Sequence, residues 1–176
     1  MSEPFHWNKN RLLILDDFKG LVDQNNNHIA ASRIDLGYLF NCTENIKSSI
    51  YELTVTGIPI FTLFHPLSSW VRKEAINMIN LEPLLKHEQG HFDLGEEYRR
   101  KIEKEMNGKF KGKSFSCKSK NRENALQEVK IILDEKFIPL IDEYNQAQRK
   151  YEDDTSHGTL IAEQEKYNLR FSILYL

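Results

Sequence analysis

The spacing of apolar positions changes character along the chain. From Ala30 to Phe40, residues typical of strands stand in partial alternation. From Ser49 to Thr56 the alternation sharpens, with Ile50, Leu53 and Val55 near one face. Gly57-Ile58-Pro59 interrupts it, and Ile60–Phe64 predicts a third strand ended by His65-Pro66. Upstream, the short apolar run Leu12–Leu15 predicts a buried strand, and Asp16–Gly20 a turn. Together these predict a small, mainly antiparallel sheet.

Beyond residue 81 the period becomes helical. Leu81, Leu84, Leu85, Phe92, Tyr98, Ile102 and Met106 fall on one stripe of a helix. Asn80 is its expected N-cap, Pro83 is acceptable in its first turn, and Asn107-Gly108 its expected stop. Lys109–Lys120, with five lysines and no helical period, reads as a basic loop. A second long helix begins at Asn121, with Leu126, Val129, Leu133, Leu140 and Tyr144 in phase and Pro139 expected to kink or split it. Glu152–Gly158 reads as a polar turn, followed by a last helix from about Thr159 through Tyr167 and an apolar end, Phe171–Leu176, that docks as a terminal strand or helix end. The fold class is therefore α+β, a sheet followed by long helices.

With 176 residues and 40% hydrophobic content, the whole chain, 1–176, is expected to form a single domain. Lys+Arg 24 against Asp+Glu 26 leaves a net charge of -2, so no global field points to nucleic acid, and the lysines of the basic loop read as solvated. No apolar run approaches membrane-spanning length, and the first residues carry no signal-type apolar core. The expected location is intracellular, or exported and periplasmic if a leader has been removed. Cys42 and Cys117 lack metal-knuckle spacing; they read either as unconnected thiols or as a pair in an oxidising compartment.

The chemistry is concentrated in the helix stripe. His87-Glu88-Gln89-Gly90-His91 is an H-E-x-x-H motif. On a helix its two histidines lie on one face about 40° apart, able to share one cation with Glu88 beside them. Glu88, His91 and Gly95 fall inside the apolar stripe and His87 at its edge, where uncompensated polar groups are costly and a divalent cation compensates them. Gly95 suggests room for another segment's backbone beside the site. A catalytic zinc takes three protein ligands. Asp93, Glu96 and Glu97 point away from the histidines and read as solvent-facing. Glu123 or Glu128 on the second long helix would supply a carboxylate, but His157, in a polar turn beside Thr155 and Ser156, is the favoured third ligand. Tyr151 is a weak candidate for stabilising an oxyanion, and a peptide substrate is expected to pair along a strand edge near Ile60–Phe64.

The string His87-Glu88-Gln89-Gly90-His91-Phe92-Asp93, with Trp70 before it and Thr155-x-His157-Gly158 after it, resembles a bacterial family of predicted secreted zinc-dependent proteases, a zincin-like domain of unknown function. Trp7, Arg11-Leu12, Asp16–Gly20 and Ala30-Ala31 extend the resemblance over nearly the whole chain, although Leu13-Ile14-Leu15 and Tyr167 depart from its tryptophan positions. It implies a zincin-like fold, Zn2+ held by His87, His91 and His157, and Glu88 as catalytic base, acting on a peptide or protein. Two other classes stand beside this expectation: a non-catalytic protein stapled by zinc, and a zinc hydrolase of a non-peptide amide such as those of the cell wall.

Overall fold

The computed structural model describes residues 3–47, 50–72, 74, 81–119 and 121–176. Eight short strands are named in chain order: β1 (Phe5–His6), β2 (Ala30–Ala31), β3 (Ile34–Tyr38), β4 (Asn41–Lys47), β5 (Ile50–Gly57), β6 (Ile60–Phe64), β7 (Trp70–Val71) and β8 (Ser114–Ser116). Among the described residues, three α-helices have named bounds: α1 (Leu81–Phe110), α2 (Arg122–Thr155) and α3 (Ile161–Phe171). The protein is α+β, and among the described residues the strands form three small sheets, ordered β1-β6-β3, β2-β7 and β4-β5-β8.

The chain folds into two compact units. One contains residues 1–36, 62–98 and 145–176, the other residues 37–61 and 99–144. In the first, Leu13, Phe64 and Phe92 form one buried cluster flanked by Phe5, Trp7, Phe18 and Ile34. A second cluster joins Leu94, Tyr151, Phe171 and Leu174. The apolar positions of α1 therefore meet neighbours on more than one side: every residue from His87 to Glu96 except the partly exposed His91 is buried. Asp93 and Glu96, expected at the solvent face, are both 4% exposed. Asp93 accepts from Trp7 Nε1 at 2.7 Å, Gln89 Nε2 at 2.8 Å and Tyr175 Oη at 2.7 Å, which satisfies a buried carboxylate with three neutral donors.

The second unit is built on the β4–β5 hairpin, with Leu53 and Val55 fully buried. β4 was not anticipated; its polar sequence Asn41–Lys47 has no apolar alternation, and pairing to β5 makes it a strand. The expected basic loop is likewise partly a strand: β8 pairs Phe115 with Leu53, so lysines flank a sheet edge. Helix α1 runs past Gly108 to Phe110, because Asn107 turns its side chain to the backbone of Ile58, accepting from N–H and donating to C=O at 2.9 Å each. The left-handed residue that follows is Gly112, φ +83°. The Asn80 cap lies outside the described residues.

Other expectations also changed. Leu12–Leu15 is not a strand: Leu13 is buried, Leu12 and Ile14 are exposed, and Leu15–Asp17 forms a 3-10 turn held by Asp17. Pro139 lies inside an unsplit α2. The polar stretch after Tyr151 is still helical up to Thr155. The edge proposed for substrate is filled, since β6 lies between β1 and β3. Cys42 and Cys117 are free thiols.

Candidate metal centre

The H-E-x-x-H segment lies in the N-terminal third of α1, and the last turns of α2 lie against it. On α2, Gln148, Tyr151, Glu152 and Thr155 recur at i, i+3, i+4 and i+7, so all four share one helix face. That face answers the histidines atom by atom. Glu152 Oε1 is 3.0 Å from His91 Nε2, and Oε2 is 3.3 Å from His87 Nε2. The three side chains bring one ligand atom each within 4.8 Å of one another.

The far sides of both rings are held. His91 Nδ1 faces Gln148 Oε1 at 2.5 Å, while Gln148 Nε2 donates to the His91 carbonyl at 3.0 Å, which fixes which end of the amide faces the ring. His87 Nδ1 faces Gln164 Oε1 at 3.1 Å, and Gln164 Nε2 donates to Tyr151 Oη at 2.8 Å and Asn168 Oδ1 at 3.0 Å. An amide oxygen only accepts, so each Nδ1 carries a proton and each Nε2 is the nitrogen that faces Glu152, donating to the carboxylate when the ring is charged and free to offer a lone pair to a cation when it is neutral. This is the arrangement by which outer hydrogen bonds orient metal-binding imidazoles. A donor set of two imidazole nitrogens and one carboxylate oxygen fits zinc.

Charge in the cluster is strongly coupled. Burial pushes the Glu152 carboxyl up, but hydrogen bonds and charge from His87 and His91 outweigh it and hold the group well below the usual carboxylate range. Burial pushes the His91 imidazole down, yet Glu152 and the charge of Glu88 outweigh that and raise it.

Glu88 stands apart from this triad. It is 3% exposed, lies on the same helix between the histidines, and accepts from Ser32 Oγ at 2.5 Å. Ser32 follows β2, whose Ala30 joins Glu88, His87 and Glu152 in lining a cleft of about 420 Å³. Asn27, His28, Ile29, Leu84, Ser156, His157 and Thr159 complete its walls.

Three residues stand elsewhere than the sequence suggested. His157 lines the cleft but is not grouped with His87 and His91; its side chain is 58% exposed, and Nδ1 lies 2.8 Å from Glu152 Oε2. The third group of the compact set is Glu152. The reason is the length of the helix: α2 continues one turn further than the polar sequence suggested, which carries Glu152 onto the inward face. The helix then ends in a Schellman pattern, with Ser156 N–H bonding Asp153 C=O at 3.2 Å and His157 N–H bonding Glu152 C=O at 3.1 Å. Ser156, His157 and Gly158 all take positive φ, +47°, +56° and +77°. This turns His157 outward and seats Gly158 against the ring of His87, where a Cβ would come within 2.8 Å of His87 Cβ.

Tyr151 does not face the cleft as an oxyanion partner would. It is fully buried, stacks on His87 with centroids 5.0 Å apart, and donates to the His87 carbonyl at 2.9 Å. Burial pushes its phenol above the usual range, so it remains a hydrogen-bond donor. Gly95, finally, admits no backbone to the site. The side chains of Thr62, Ile34 and Leu36 fill the space a Cβ would take there, with Thr62 Oγ1 donating to its carbonyl at 3.2 Å. The glycine that opens the site is Gly90.

Glu152, Gln148 and Gln164 were missed by the sequence reading. The one available signal was the Gln148-x-x-Tyr151-Glu152-x-x-Thr155 spacing, a polar helix face where an apolar one would be the default.

Residues 17–158 match a family described as bacterial proteins of unknown function, DUF922, and the chain belongs to that family. No curated protein and no solved structure matches the chain.

Proposed function

We propose that the protein is a zinc-dependent hydrolase of zincin-like architecture, acting on peptide bonds. The observation that carries this reading is the convergence of His87 Nε2, His91 Nε2 and the Glu152 carboxylate beside a buried glutamate that belongs to none of the three. His87, His91 and Glu152 would hold the zinc. When bound, zinc supplies Lewis acidity, polarising a carbonyl and lowering the pKa of water to about 7.

The rest falls to the chain's own residues. Glu88 holds its carboxylate at the cleft wall, oriented by the Ser32 hydroxyl, and takes a proton from the attacking water. It then returns that proton to the leaving amine. Gln148 and Gln164 keep the imidazoles in one tautomer throughout. An extended substrate fits the β2 side of the cleft, where Ala30 lines the wall and backbone pairing gives affinity independent of side-chain identity.

A zinc staple without catalysis needs ligands but has no use for a further buried carboxylate at the cleft wall, which Glu88 supplies. The deciding experiment combines metal analysis with digestion of a peptide library and of cell-wall fragments. Zinc bound near one equivalent, with peptide cleavage abolished by Glu88→Gln, is the expected result. A chain that takes up no zinc after repletion at neutral pH refutes the reading, and cleavage confined to cell-wall amides transfers it to that substrate class.

A further inference from the structure

Glu152 belongs to two clusters. Besides His87 and His91, it lies within 4.8 Å reach of His28 and His157, and each of these three offers one ligand atom to the same space. We infer that His28, His157 and the shared carboxylate of Glu152 form a second site for a divalent cation of the zinc type, at the mouth of the cleft; this rests on reading His87, His91 and Glu152 as the first site.

Two separate local devices bring the histidines together. His157 is turned by consecutive left-handed residues, Ser156 at +47° and His157 itself at +56°, a conformation unfavourable for non-glycine residues that persists only where surrounding structure imposes it. His28 ends a polar loop clamped by Arg72. The Arg72 guanidinium donates to the carbonyls of His28 at 2.8 Å, Asp23 at 3.3 Å and Asn26. The rings meet edge to face with centroids 4.5 Å apart.

The donor set, two imidazoles and a carboxylate, is that of the first site and selects the same class of metal. A carboxylate bridging two cations is the geometry of two-metal hydrolases, where the metals stand about 3.5–4 Å apart. The second site is the weaker one. Its histidines are exposed, its loop is held by backbone contacts to a single arginine, and it shares the charge of Glu152, all of which lower affinity.

The test is a Zn2+ titration of the full metal-free chain against a chromophoric chelator, with circular dichroism to verify folding. The expected result is two equivalents, the second bound about tenfold or more weakly. His28→Ala and His157→Ala should each remove the weak class and retain the tight one. A single tight equivalent in the parent chain overturns the second site and leaves the first intact. No zinc at all overturns both. If His157→Ala abolishes the tight class instead, His157 is a ligand of the first site and the bridging assignment is wrong.

Discussion

Gly90 and Tyr151 occupy the same space by division: a Cβ on Gly90 would come within 2.0 Å of the Tyr151 hydroxyl oxygen and 2.6 Å of Cζ. The missing side chain lets the phenol reach the His87 carbonyl and sets the approach of α2, whose next residue is Glu152. Gly90→Ala should therefore lower stability by about 1–3 kcal/mol despite the helix preference of alanine, a fall in Tm of roughly 2–10 °C for a chain of this length. Gly108→Ala is the control, since it lies on the same helix with nothing within 4 Å, and it should raise stability by up to about 1 kcal/mol. Thermal melts of both variants check the pair; equal behaviour would refute the close approach.

The proposed metal set predicts a graded series. Gln148→Leu leaves His87, His91 and Glu152 in place but releases the His91 ring, and should weaken zinc binding by about 10–100-fold. Glu152→Ala removes a ligand and should weaken it more than that. Chelator competition on folded variants measures both. Affinity unchanged in Glu152→Ala would place the third ligand elsewhere.

For Glu88 the expectation separates binding from chemistry. Glu88→Gln keeps the shape and the contact to Ser32 and should retain zinc, while turnover falls by about 10²–10⁴-fold. Steady-state kinetics with zinc content determined in parallel gives the answer, and full activity in this variant would remove Glu88 from the mechanism.

In the second unit, Asp134 accepts from Lys130 Nζ and Tyr38 Oη, both at 2.5 Å. Partial burial pushes its carboxyl up, but the two hydrogen bonds and the lysine charge outweigh it and hold the group below the ordinary aspartate value. A depressed folded pKa contributes stability above the unfolded value, near ~3.9, and loses it as pH falls through the folded one. The Tm difference between the parent chain and Asp134→Asn should therefore be greatest near neutral pH and shrink on acidification below about 4. A difference independent of pH would exclude the ionised pair as its source.

The sequence by itself determined whatever depends on short spacing. Strands β5 and β6 follow from alternation, α1 and α2 from their apolar period, and the common face of His87 and His91 from four-residue separation on a helix. These interactions are set within one element, so the chain written in order already contains them. The tertiary structure decided what depends on partners distant along the chain. β4 and β8 are strands because β5 offers them backbone groups, not because their own side chains alternate. Asp93 is buried because Trp7 and Tyr175, 86 and 82 residues away, satisfy it. Glu152 rather than His157 meets both helix histidines because α2 persists one turn into polar residues before a left-handed cap reverses it. Helix propensity for Glu152–Thr155 is weak when read alone; packing of Tyr151 into the space left by Gly90, a residue far away along the chain, outweighs it.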